Sequence, residues 1–189
     1  MNSITQLAEI VSNEIKACLS GISVEEFQSA LSEIDRAGQI FVTGAGRSGL
    51  AMRAFAMRLM HAGKSVHVVG DVTVPSITKD DLLIIGSGSG STESLLVYAK
   101  RAKMIGARLL LLTIVSNSAI SELANCLICI PAPSSKVKNS IGKTASVQPM
   151  GSLFEQSLFI LGDCLILEHM KRHELDGEHM FHSRHANLE

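Results

Sequence analysis

The sequence predicts an α/β protein, a parallel sheet with helices over both of its faces. Two observations carry that prediction. Short runs that are apolar throughout, such as 82–85 (LLII) and 109–112 (LLLL), alternate with longer stretches of helical periodicity, as strands buried on both faces require. In addition, a strand, a glycine-rich turn and a helix recur as FVTGAGRSG (41–49) and IIGSGSGST (84–92), which reads as paired βα units within one sheet.

Two helices open the chain. Ile4, Leu7, Val11, Ile15 and Leu19 form one apolar stripe at three- and four-residue steps. Ser23 and Glu26 are spaced as a capping box ahead of Phe27, Leu31 and Ile34, and Gly38 ends that helix. A strand over 39–43, a helix over 47–62 stopped by Gly63, and a strand over 65–70 follow. The second unit has a strand over 81–86, a helix over 91–105 stopped by Gly106, and a strand over 107–114. A short helix over 116–124 and a fifth strand over 126–130 complete the alternation. Residues 131–149 show no periodicity and read as a functional or disordered loop. A long helix starts near Gly151, and a tail without helical pattern ends the chain.

The length of 189 residues fits one domain over 1–189. A net charge of −1 argues against a general nucleic-acid or membrane-surface binder. The N-terminus lacks the basic-then-apolar pattern of a signal peptide. The most apolar stretch, 151–170, is interrupted by Glu155, Asp163 and Glu168 and reads as a buried helix. Cys18, Cys126, Cys129 and Cys164 are too sparse for a disulfide framework, which points to a cytoplasmic protein. Cys126 and Cys129 spell CxxC, but residues three apart on a strand face opposite ways, so ordinary buried cysteine is the better reading.

The chemistry sits in the glycine-serine loops. A strand that passes through glycines into a helix gathers free N–H groups at a helix N-terminus, where the peptide dipoles favour an anion. Gly46 and Gly88 allow close backbone approach, and Ser48, Ser87, Ser89 and Thr92 supply hydroxyl donors, with Arg47 as a cation beside them. Phosphate is the natural occupant. The plainer alternative is a pair of tight turns with serine or threonine N-caps. GAGRSG also satisfies GxGxxG, with Asp71 where a dinucleotide fold keeps its ribose-binding acid. Against that rival, the second loop is richer in hydroxyls than the first.

Glu155 has two readings. Ser152 precedes it by three, as in a capping box; equally, its apolar neighbours Leu153, Phe154, Leu158 and Phe159 could hold the carboxylate in a dry place as a base. His169 and His173 are one turn apart but lack the HExxH carboxylate, so no metal is expected there. His179, His182 and His185 fall in the tail, where histidine is usually solvated.

Taken together, FVTGAGRSGLAMRAFAMRLMHAG, LLIIGSGSGST, SVQPMGSLFEQSLFIL and the terminal RHANLE resemble the 6-phospho-3-hexuloisomerases of the sugar isomerase (SIS) family, over essentially the whole chain. The resemblance implies a three-layer αβα sandwich on a five-stranded parallel sheet. It implies an enzyme converting D-arabino-hex-3-ulose 6-phosphate to fructose 6-phosphate in the ribulose monophosphate pathway of formaldehyde fixation, working without a cofactor. It further implies a homotetramer with active sites at subunit contacts, with Glu155 the base and His185 reaching a neighbour's site. By the same resemblance Ser48, Ser87, Ser89 and Thr92 would line the sugar-phosphate site. Two rivals stand beside it: an SIS aldose-ketose isomerase for another phosphosugar, and a non-catalytic phosphosugar sensor.

Overall fold

Strands β1 (Ile40–Gly44), β2 (Val66–Val68), β3 (Leu82–Gly86), β4 (Arg108–Thr113) and β5 (Cys126–Cys129) form one all-parallel sheet in the order β2-β1-β3-β4-β5. This is the architecture of a computed structural model that describes residues 3–133 and 146–188. The helices are α1 (Ile4–Ser20), α2 (Val24–Arg36), α3 (Gly46–His61), α4 (Glu93–Ile105), α5 (Ser152–Arg172) and α6 (Gly177–Arg184).

Alternate residues of each strand go to opposite faces, so the sheet divides two cores. Ile40, Val42, Leu82, Ile84, Leu110, Leu112 and Ile128 face α1, α2, α3 and α5. Phe41, Leu83, Ile85, Leu109 and Leu111 face α4 and Ile120. The three layers are therefore unequal: α1, α2, α3 and α5, joined by Met180 of α6, lie on one side and chiefly α4 on the other.

The edge of the sheet where the strands begin is fastened by buried acids. Asp81 accepts from Gln39 N (2.9 Å) and Thr78 N (2.7 Å), and its own carbonyl accepts from Arg108 N (3.0 Å). Glu33 on α2 pairs with Arg36 and with Arg108, the latter at 2.6 Å between Nη2 and Oε1. Burial pushes the Glu33 carboxyl upward, but the two guanidinium groups outweigh it and hold the group below the ordinary carboxylate range.

Four expectations change in detail. The short helix over 116–124 contracts to a 3-10 turn, Ser121–Leu123. There Ser118 N donates to Ser121 Oγ (2.6 Å) and Ser121 N to Ser118 Oγ (3.3 Å), and such local bonds compete with helix formation. The tail is not aperiodic coil, since 177–184 form α6. Of the Ser23/Glu26 capping box only half forms: Ser23 accepts from Glu26 N, while the Glu26 carboxylate accepts from Cys129 N at 2.7 Å instead. The apolar stripe of α1 is only partly used, with Ile15 and Leu19 packed on the core but Ile4 and Leu7 exposed. The aperiodic loop over 131–149 falls largely outside the described residues.

Candidate active site

In a parallel sheet of this order the connections from β1 and β3 depart in opposite directions, and a crevice opens between their C-terminal ends. Register puts the two loops level, because Gly44 pairs with Gly86. The resulting cavity of about 260 Å³ is lined by Gly46, Arg47 and Ser48 from the first loop and by Ser87, Gly88, Ser89 and Thr92 from the second. Glu155, Phe154, Gly151 and Met150 close it from the start of α5. Every candidate site residue in the loops and on α5 thus meets in one place.

The turns are not explained by capping. Ala45 is the N-cap of α3, and Thr92, the N-cap of α4, makes no side-chain capping bond. Both helices therefore enter the cavity with uncapped first turns, whose N–H groups lack intrahelical partners. Gly46 takes φ +58°, conformational space open to glycine. Ser87 is buried; its N–H donates to Leu112 O (2.9 Å), and its carbonyl and hydroxyl oxygens both receive Gly90 N–H (3.2 Å each). Gly90, at φ +60°, admits no Cβ, which would lie 2.1 Å from Ser118 Oγ. The second loop is thus a preformed cup.

Glu155 follows neither sequence reading fully. The helix is capped by Gly151 without a side-chain bond, so no Ser152/Glu155 capping box exists. The carboxylate is not dry either: with its side chain 21 % exposed, it accepts from Arg47 Nε at 2.6 Å. A cation from one loop and a carboxylate from α5 are therefore paired at the mouth of the cup. Asp71, the acid on which the dinucleotide rival depended, pairs with Arg53 at 3.1 Å.

Residues 33–160, more than half of the chain, match the SIS domain. The chain belongs to the SIS domain family. It is 44 % identical over 189 residues to a 3-hexulose-6-phosphate isomerase of Bacillus subtilis, covering all of both chains. It is 39 % identical to a 3-hexulose-6-phosphate isomerase of Mycobacterium gastri, covering all of this chain and 92 % of that one. Among solved structures, a Methanococcus jannaschii protein whose structure was described as inferring 3-hexulose-6-phosphate isomerase function superposes with a TM-score of 0.82 at 39 % identity. That match covers 97 % of this chain and 99 % of the other.

One candidate lies outside the SIS cavity. His185 stacks on His61 of its own chain, ring centroids 5.6 Å apart, and Arg184 Nη1 donates to His61 O at 3.1 Å. His61 ends α3, whereas the cavity is at its beginning, and fifteen helical steps separate the two by roughly 22 Å. With the tail docked in this way, His185 cannot reach the Glu155 of its own chain. Burial, then the Arg58 charge and then His185, hold the His61 imidazole below the ordinary histidine range.

His169 and His173 meet a carboxylate that sequence spacing did not reveal. Asp35 Oδ1 lies 2.7 Å from His169 Nδ1 and 3.0 Å from His173 Nε2, and Arg172 shares the same carboxylate at 3.4 Å. These contacts tie the end of α2 to the end of α5. The CxxC pair behaves as its strand position requires, Cys126 Sγ donating to Ser29 Oγ and Cys129 Sγ to Ile114 O.

Sequence reasoning missed Met150, Phe154 and Ile114 as walls of the SIS cavity. Phe154 and Ile114 read simply as core. Met150 carried a faint signal, since it stands between a proline and a glycine just before a long helix.

Proposed function

We propose that this chain is an isomerase that moves the carbonyl of a phosphosugar between adjacent carbons, with D-arabino-hex-3-ulose 6-phosphate and D-fructose 6-phosphate as its substrate pair. The observation that carries the reading is the joining of two glycine-rich anion loops to a single carboxylate, Glu155, within one cavity. Full-length relatives named 3-hexulose-6-phosphate isomerase support the choice of substrate.

The loops at 44–49 and 86–92 hold the 6-phosphate, leaving the sugar chain to run toward Glu155. Glu155 takes the proton from C2 of the 3-ketose, giving a 2,3-enediolate, and returns a proton to C3. The hydroxyl proton passes from O2 to O3, so C2 ends as the carbonyl and no electron leaves the substrate. Because Arg47 already contacts Glu155, its guanidinium is placed to receive the negative charge that develops on the enediolate oxygens. A reaction without net oxidation needs no hydride acceptor. Formaldehyde addition to ribulose 5-phosphate would supply the 3-ketose.

His185 acts in a second subunit's cavity. Three features support this: the distance along α3, the position of the docked tail, and exposed apolar side chains beside the site. Leu50 (67 % exposed) and Phe159 (47 % exposed) line a hollow together with Arg47 and Glu155, and a second copy lying there would cover them and bring its tail to the mouth. A closed homotetramer repeats that contact for each chain. His185 then serves as the proton carrier for opening and closing the furanose ring of fructose 6-phosphate. No described helix is long and apolar enough to cross a membrane, and the reduced cysteines fit a cytoplasmic enzyme.

Turnover of the 3-ketose phosphate by purified protein tests the reading. Glu155→Gln is expected to lower turnover about 10²- to 10⁴-fold, the usual contribution of a general base, with fructose 6-phosphate binding retained. Near-native turnover in that variant would remove Glu155 from the mechanism.

A further inference from the structure

The wall of the cavity contributed by residues 150–155 is held from outside the cavity. Met150 lines the site at φ +58°, a backbone conformation that an L side chain keeps only when its surroundings hold it there. On its C-terminal side the holding group is the first turn of α5, where Ser152 N donates to Pro149 O at 3.1 Å and Glu155 N to Gly151 O at 3.0 Å. On its N-terminal side, three successive residues converge on one carboxylate of α1. Glu14 accepts from Ser146 Oγ (2.7 Å), Val147 N (2.9 Å) and Gln148 Nε2 (2.8 Å).

Charge-assisted bonds of this kind are the stronger ones, and three on one carboxylate fix a segment in position and direction. Ser146 Oγ also receives Gln148 N at 3.0 Å, which closes the segment on itself. The Gln148 amide shows how dominant the anchor is. Its NH₂ is turned to Glu14 although its Oε1 is left buried without a partner, an arrangement that costs stability unless the opposite end is well bound. The hydrogen bond from Ser146, set against slight desolvation and aided by Val147 and Gln148, holds the Glu14 carboxyl below the ordinary carboxylate range. Between the anchored residues and Met150 on the cavity wall stands only Pro149, whose φ is fixed by its ring.

We infer that Glu14 is a positioning residue for the active site: its carboxylate sets the 146–151 segment so that Met150 and Gly151 form the cavity wall opposite the phosphate loops. The inference rests on the proposal that this cavity is the phosphosugar site. Glu14 touches no substrate, so its removal loosens the wall, whereas Glu155 remains carried by the body of α5. The loss therefore falls mainly on KM rather than on kcat.

The test uses the full chain as Glu14→Ala, Glu14→Gln and Glu14→Asp variants. Amide hydrogen exchange over 146–152 and fructose 6-phosphate affinity are measured by mass spectrometry and calorimetry, alongside kcat, KM and the melting temperature. Glu14→Ala is expected to speed exchange in 146–152, weaken fructose 6-phosphate binding and raise KM about tenfold, with kcat lowered less. Glu14→Gln, which keeps the length and one acceptor oxygen, is expected to recover part of the affinity; Glu14→Asp, one methylene short, is expected to recover less. Faster exchange with unchanged affinity and KM would overturn the inference, as would unchanged exchange. So would a uniform rise in exchange across the chain with a large fall in melting temperature, because Glu14 would then support the fold rather than the wall. The exchange readout needs no turnover, so a failure of the isomerase reading itself would appear separately, as wild-type protein that neither binds nor converts the sugar phosphates.

Discussion

Ser87 and Thr92 show how a hydroxyl acquires a task from what surrounds it. Thr92 stands at an N-cap yet makes no capping bond, and Ser87 is buried with its N–H and carbonyl already committed to the chain. The Ser87 hydroxyl oxygen receives Gly90 N–H as well, so what the two hydroxyls offer a ligand is their O–H donors, a match for phosphate oxygens. Ser87→Ala and Thr92→Ala are each expected to weaken fructose 6-phosphate binding by about 1.5–3 kcal/mol, the range for a hydrogen bond to a charged group. Calorimetry with phosphorylated and unphosphorylated fructose checks this: equal binding of the two sugars would contradict phosphate as the ligand group. Sequence made these residues legible because glycine and serine in alternation have few other uses after a buried strand. It could not show the Arg47–Glu155 pair, whose members are 108 positions apart. Nor could it show that Glu155 would be wet at its tip, since apolar neighbours along a helix say nothing about which way the carboxylate turns.

At the scale of elements, strands and helices were readable wherever one periodicity had no competitor. The five strands stand within two residues of their expected limits at most ends, because hydrocarbon on both faces leaves no other place for them. The tail failed as a prediction because α6 is short and draws its support from α3, through Arg184 on His61 O, rather than from its own pattern. The joint between α2 and α5 was likewise invisible until Asp35 met His169. That joint makes stability depend on pH. Burial above all, against the pull of Asp35, holds the His169 imidazole below its ordinary 6.5, and burial does the same for His61. The unfolded chain therefore takes up protons at both positions before the folded chain does. Stability is expected to fall as pH drops below about 6.5 and through the folded values. Asp35 acts in the same sense at lower pH: hydrogen bonds from both histidines outweigh the upward push of its burial, and their stabilisation is lost when the carboxylate is finally protonated. Urea unfolding between pH 7.5 and 5 reads the slope, and His169→Asn is expected to flatten it. An unchanged slope in that variant would place the proton uptake elsewhere.

For the whole molecule the decisive fact is polarity. The cavity with Glu155 occupies one end of α3, and His61 with its stacked His185 occupies the other. On the proposed shared-site assembly, oligomers mixed from Glu155→Gln and His185→Asn chains, each impaired alone, are expected to regain activity at those sites that unite a sound glutamate with a sound histidine. Mixed oligomers that form yet stay as impaired as their parents would confine both residues to one chain or deny His185 a catalytic part. The sheet has a polarity of its own, with consequences for how such a protein can diverge. Its beginning edge holds Asp81, Glu33 and Arg108, which serve register, while its finishing edge holds the serines, threonine and glycines that line the cavity. Both edges spend polar residues, but only the finishing edge opens into the cavity between the two loops. Changes at the finishing rim can alter which sugar is admitted without touching the bonds that set strand against strand, and changes at the opposite rim alter endurance to heat or acid without altering preference. Descendants of such a chain can therefore drift in taste and in toughness along nearly independent lines.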